Sequence, residues 1–169
     1  MKPEIIAAEY FFRYINLVKE ENINKALKKN TKQFLKLLNN IPKKKIGYAY
    51  AEGKWTIKQL LQHIIDAERV FALRALWFAR KDPNGQPGFN ENIWADNAFV
   101  EDRKWRDMVK EFELLRESTD LLFKSLTQQN LISSGLSSNN PTNAAAMGFV
   151  AVGHVMHHMN ILKERYLNK

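Results

Sequence analysis

The sequence predicts an all-α protein, an up-and-down helical bundle with one long crossover connection. Apolar residues recur every three to four positions through several long segments, the spacing of a helix with one buried face. Only 7 Gly and 5 Pro occur, too few for an architecture built from many tight turns. A composition of 45% hydrophobic and 26% charged residues is that of a folded chain and disfavours disorder. At 169 residues the chain is expected to form a single domain, residues 1–169, large enough to bury a core.

Each element has a local justification. Pro3 to Glu20 reads as an extra short N-terminal helix, with Pro3 at a permitted start and Ile5, Ile6, Tyr10, Phe11, Tyr14, Leu17 and Val18 at helical spacing. Asn22 is a candidate cap for a second helix that runs to about Asn40 and stops at Ile41-Pro42. On it, Lys25, Lys28, Lys29, Lys32 and Lys36 share about one third of the circumference, opposite Ile23, Ala26, Leu27, Phe34, Leu37, Leu38 and Ile41. After a connector from Lys43 to Gly53, Thr56 caps a long third helix ending near Asp82-Pro83, about 39 Å if unbroken. His63 shares its stripe with Leu60, Ala67, Val70, Phe71, Arg74 and Phe78.

Pro83 to Arg103 is a long connection rich in turn residues. It also carries Phe89, Ile93, Trp94 and Phe99, which suggests a segment that packs down on the bundle. A fourth helix covers about Lys104 to Gln128, with Arg116 and Thr119 set inside its apolar stripe. Asn130 to Asn140 reads as a polar loop, and Pro141-Thr-Asn opens a last helix reaching about Leu167.

The charge of +8 has a local origin. Eight lysines and no acid lie between Asn22 and Ala51, and without them bases and acids are equal at 18. A nucleic-acid surface is one use of such a ridge, but a solvated face is the commoner one, and no aromatic side chain interleaves with the lysines. Nucleic acid is therefore not an expected partner. With 0 Cys, disulfides, thiolate ligands and a thiol nucleophile are excluded. No consecutive apolar run approaches the roughly 18 residues of a membrane span. Behind Met1, the residues Glu4, Glu9 and Arg13 interrupt any signal-like run. A cytoplasmic location without membrane contact is the expectation.

The chemistry-bearing stretch is Gly153-His154-Val-Met-His157-His158. His154 and His158 stand four residues apart, on one helical face with Met147, Val150, Ala151, Ile161, Leu162 and Arg165, and therefore point inward. Two inward imidazoles are costly to bury without partners, and one shared metal ion relieves that cost. His157, about 60° away, reads as a boundary residue. The fourth histidine, His63, can converge with the pair if their helices face each other. Alone on an apolar stripe, it reads more ordinarily as a satisfied core residue. Val155 after His154 excludes the H-E-x-x-H pattern of metalloproteases.

The runs Glu52-Gly-Lys-Trp-Thr-Ile-Lys-Gln-Leu-Leu-Gln-His63-Ile-Ile-Asp-Ala-Glu-Arg-Val-Phe-Ala-Leu-Arg-Ala75, Pro87-Gly-Phe-Asn-Glu-Asn92, Glu113-Leu-Leu-Arg-Glu-Ser118 and Gly153 to Leu167 resemble the DinB-like (YfiT-type) superfamily. After His158 the chain has Met159-Asn160, where similar sequences often carry Arg-Gly. The resemblance implies a DinB-like four-helix bundle, often a homodimer, with one divalent metal held by His63, His154 and His158. It also implies a metal-dependent hydrolase or a low-molecular-weight-thiol S-transferase acting on a small molecule. Imidazole suits zinc, nickel, iron and copper alike, and zinc or nickel is the expectation. Three such ligands leave a position open for water or substrate. Asp66, Glu68 and Glu91 are candidate helpers. Trp55 and Trp94 are expected to wall a substrate pocket, and Arg74, Arg116 and Arg165, each on an apolar stripe, are candidates to hold an anionic substrate. Ion pairing at the bundle ends is the ordinary alternative for these arginines. A non-catalytic metal- or ligand-binding bundle is the competing function.

Overall fold

The computed structural model describes residues 3–168. The single-domain expectation also covers Met1, Lys2 and Lys169, which lie outside the described residues. In chain order the helices are α1 (Glu9–Ile15), α2 (Ile23–Asn39), α3 (Ile57–Ala79), α4 (Glu91–Asp96), α5 (Trp105–Ser125), α6 (Gln128–Ile132) and α7 (Ala144–Ile161). A hairpin of β1 (Ser134–Ser137) and β2 (Asn140–Asn143) precedes α7, and a π-helical segment (Leu162–Leu167) follows it.

The two capping expectations hold. The Asn22 side chain accepts from Lys25 N, and Thr56 forms a capping box with Gln59. α2, α3, α5 and α7 make the four-helix bundle, packed in the order α2–α5–α3–α7 around it. Neighbours in sequence, α2 and α3, are therefore not packing neighbours, and each instead meets both α5 and α7. The five lysines of the α2 ridge are exposed, and opposite them Ile23, Ala26, Leu27, Phe34 and Leu38 are buried. α7 is buried on nearly all sides from Ala144 to Val155, which makes it the central helix. The close approach of α1 to α7 depends on Gly153, where a Cβ would fall 2.1 Å from the Tyr14 carbonyl oxygen.

The core is two apolar clusters. One holds Leu27, Ala67, Phe71, Phe123 and Val150, and the other holds Phe34, Ile64, Phe112, Val155 and Met159. On each bundle helix the change of cluster falls beside a buried polar residue: Asn30 on α2, Glu68 on α3, Arg116 on α5 and His154 on α7. A polar waist thus crosses the bundle.

Four local expectations are corrected. The N-terminal helix is only Glu9–Ile15, because Asn143 holds the preceding chain extended, its side chain donating to Glu4 O and its backbone N–H to Ile6 O. The fourth helix stops at Ser125, and a separate turn of helix, α6, capped by Thr127, follows. The expected polar loop contains β1, and Pro141 pairs with Leu136 in β2 instead of opening α7, whose cap is Asn143. Ser138 and Asn139 at φ 51° and 65° give the turn whose twist matches a two-residue hairpin. The aromatics of the long connection do not all pack down. Ala95 and Val100 anchor it, whereas Trp94 is 42% and Phe99 75% exposed.

Candidate metal centre and cavity

His63 comes from the second turn of α3, and His154 and His158 come from successive turns of α7, across the α3–α7 packing seam. Their ring nitrogens converge. His154 Nε2 lies 3.0 Å from His63 Nε2 and 3.1 Å from His158 Nε2. His154 and His158 are buried and His63 is half-buried. One ligand atom from each falls within 4.8 Å of the others, so this group could hold a metal ion.

Two short contacts share the single nitrogen of His154. As a donor, that nitrogen satisfies one neighbour and presents no acceptor to the other. As an acceptor, it offers one in-plane lone pair to two rings. Hydrogen bonding among the three rings alone therefore leaves one contact poorly met. Three lone pairs about 2.0–2.1 Å from one cation are compatible with separations of this size, and neutral imidazoles are the donor set such ions take. The rings are held neutral: burial pushes His63 down to about 4, opposed by the Glu91 carboxylate. Burial, followed by the neighbouring histidines, holds His154 and His158 well below the usual histidine range. The lone pairs are thus available at neutral pH. Buried His158 Nδ1 has no partner among the described residues.

Aromatic rings fix the histidines. Trp55 is tilted over His63 at 4.8 Å, and Tyr14 and Phe71 meet His154 edge-on at 5.3 and 5.4 Å. His157 packs against Tyr14 on the α1 side, 5.6 Å between ring centres. A cavity of about 460 Å³ opens beside the three imidazoles, large enough for a small molecule.

Of the candidate substrate residues, Trp55 and Arg74 line this cavity, and Trp94, Arg116 and Arg165 do not. Trp94 lies outside, tilted over Phe89 at 4.6 Å. Arg116 is 1% exposed and taken up by the core: it pairs with Glu68 at 3.0 Å and donates to Asn30 Oδ1 and to Ala151 O. Arg165 is on the surface and donates to the Tyr50 hydroxyl. Among the helper candidates, Glu68 is committed to Arg116 and Asp66 accepts from Gln62, whereas Glu91 lines the cavity.

Residues that sequence reasoning did not single out also line it, among them Arg13 and Tyr14 of α1 and Ser137 of the hairpin. Arg13 lies over the Tyr10 and Tyr14 rings and donates to the Tyr14 hydroxyl at 2.5 Å. Burial pushes the Tyr14 phenol up to about 12. The i,i+4 pair Tyr10–Tyr14 with Arg13 between was the only local signal for this wall.

The sequence model of the DinB superfamily matches residues 26–162, which span all four bundle helices except the start of α2 and include all three converging histidines. The chain belongs to the DinB superfamily. Among solved structures, YfiT from Bacillus subtilis, described as a probable metal-dependent hydrolase with an unusual four-helix bundle topology, superposes with a TM-score of 0.68 at 16% identity, over 97% of this chain and 90% of that one. The mycothiol-dependent maleylpyruvate isomerase gives a TM-score of 0.69 at 13% identity over 85% of this chain, which spans only 60% of the isomerase. At these identities the likeness shows the fold alone. No curated protein matches. Among the described residues, no helix is long and apolar enough to cross a membrane.

Proposed function

We propose that this DinB-superfamily protein is a metal-dependent enzyme acting on a small molecule, by hydrolysis or by transfer of a low-molecular-weight thiol. The observation that carries the reading is the convergence of the His63, His154 and His158 Nε2 atoms at the wall of a 460 Å³ cavity. His63, His154 and His158 would hold one divalent ion, zinc or nickel. Such an ion supplies Lewis acidity, bringing water or a thiol toward its anion near neutral pH. Trp55 packs on the His63 ring, and Tyr14 and Phe71 pack on the His154 ring, which keeps these two imidazoles oriented. Glu91 is the one carboxylate among the described cavity-lining residues, and it is the group placed to accept the proton that water or thiol gives up. Of the two structural neighbours, one is described as a probable metal-dependent hydrolase and the other as a mycothiol-dependent isomerase, which supports a reading with a metal and a small thiol. A homodimer belongs to the same reading, and light scattering of untagged protein tests it.

Reconstitution with cobalt(II) tests the proposal. The expected result is a three-imidazole visible spectrum that gains a sulfur-to-cobalt charge-transfer band when a small thiol such as cysteamine is added. A cobalt spectrum indifferent to thiols and to anions would favour a closed, non-catalytic site.

A further inference from the structure

Arg74 differs from the other buried arginine of the bundle. It is only 4% exposed, yet among the described residues no carboxylate pairs with it, and its one hydrogen bond is donated to Pro87 O at 2.6 Å. A guanidinium has five N–H donors, so most of this one is left without a protein acceptor. Burial of a charge without a counter-ion is costly. Nearby, Ser137 is 1% exposed and its Oγ has no partner. That serine is fixed in place: it ends β1, and Gln86 bridges it by accepting from Ser138 N and donating to Leu136 O. Arg74 and Ser137 both line the cavity that the three histidines line. A guanidinium with most of its donors unanswered and a serine hydroxyl without a partner thus line the same cavity, and no carboxylate pairs with either among the described residues.

The position along α3 sets the shape of what they would bind. Arg74 is eleven residues beyond His63, about 16 Å along the axis and about 20° around it, and an arginine on a helix leans back toward the N-terminus. Phe71, which also lines the cavity, lies between them in sequence. We propose that Arg74 and Ser137 form an anion subsite at the far end of the cavity, taking the carboxylate of an elongated substrate. Its apolar middle lies against Phe71 and its reacting group lies at the histidines. A carboxylate matches the planar guanidinium fork and accepts from the serine hydroxyl as well. The substrate class is therefore a small monocarboxylic acid with an apolar body. This deepens the enzyme reading above and rests on it for the placement of the reacting group only.

Calorimetric titration of the full, untagged chain with phenylacetate and with its uncharged isostere phenylacetamide tests the subsite, because both are too short to reach from Arg74 to the histidines. The expected preference for the acid is about tenfold. It should disappear in Arg74→Gln and fall several-fold in Ser137→Ala, a change small enough to leave the fold intact. It should persist in His154→Ala. Equal affinity for acid and amide, no binding of either, or a preference that survives Arg74→Gln would overturn the proposal. Should Arg74→Gln not fold, an undiminished preference in Ser137→Ala would do the same. A preference lost in His154→Ala but kept in Arg74→Gln would assign the carboxylate to a metal, sinking the subsite and leaving the metal centre standing. Its loss in Arg74→Gln, with metal content indifferent to His154, would keep the subsite and remove the metal.

Discussion

At the waist of the bundle, Arg116 and Glu68 face each other across 3.0 Å and Asn30 and Ala151 O take further guanidinium hydrogens, whereas His63, His154 and His158 crowd three nitrogens into two contacts that their own hydrogens cannot both satisfy. Both groups are polar and buried or nearly so, and Ala151 is only one helical turn from His154. Their difference is one of closure. The arginine cluster consumes its own charges inside the core and lines no part of the histidine cavity. The histidine cluster is incomplete in itself and open on one side. Buried polar groups that answer one another hold a bundle in register, and those that do not are where a ligand belongs.

Breaking the closed group should have the largest effect. Glu68→Gln leaves a fully buried guanidinium uncompensated and is expected to cost about 3–5 kcal/mol in urea unfolding. Replacing Arg116 and Glu68 together by Met and Leu should recover most of that loss. If both variants were as stable as the wild type, the pair would not be the structural half of the comparison.

Gly153→Ala comes next. The added methyl meets backbone instead of a movable side chain, so α1 must shift from α7 at an expected cost of about 1–3 kcal/mol. Tyr14 would leave His154, which near-ultraviolet circular dichroism would report.

The open group should reveal itself through pH. His63 titrates at about 4 in the fold against 6.5 in the unfolded chain. Below 6.5 the unfolded chain binds the extra proton, so the metal-free protein loses stability as pH falls from 6.5 toward 4. His63 alone accounts for about 2 kcal/mol at pH 5. His154 and His158 act in the same direction. A denaturation midpoint flat between pH 7 and pH 5 would contradict this. The smallest effect is expected from His157→Gln: metal content unchanged and stability within about 0.5 kcal/mol, since His157 is on the α1 side of its helix and not among the converging rings.

Much of this was readable beforehand where one helix carries the signal. The Asn22 and Thr56 caps, the α2 lysine ridge and the His154–His158 spacing depend on residues within a turn of one another. The hairpin escaped because Ser138-Asn139 adopt left-handed backbone without the glycine that usually announces such a turn. Asn143 escaped because its grip on Glu4 and Ile6 spans the whole chain. Arg116, Glu68 and Asn30 each look like an isolated polar interruption of an apolar stripe, and only the meeting of three helices makes them a unit. Ser137 carried no local signal at all, and Trp94, aromatic in a functional-looking loop, faces away from the cavity.

Metal analysis of untagged protein, beside His154→Ala, tests the open histidine cluster most directly, because His154 Nε2 is the atom within hydrogen-bonding distance of both other rings. The account predicts close to one divalent ion per chain in the wild type and almost none in the variant, with both samples equally helical. Equal metal content in the two, or none in the wild type after incubation with zinc and nickel, would contradict it.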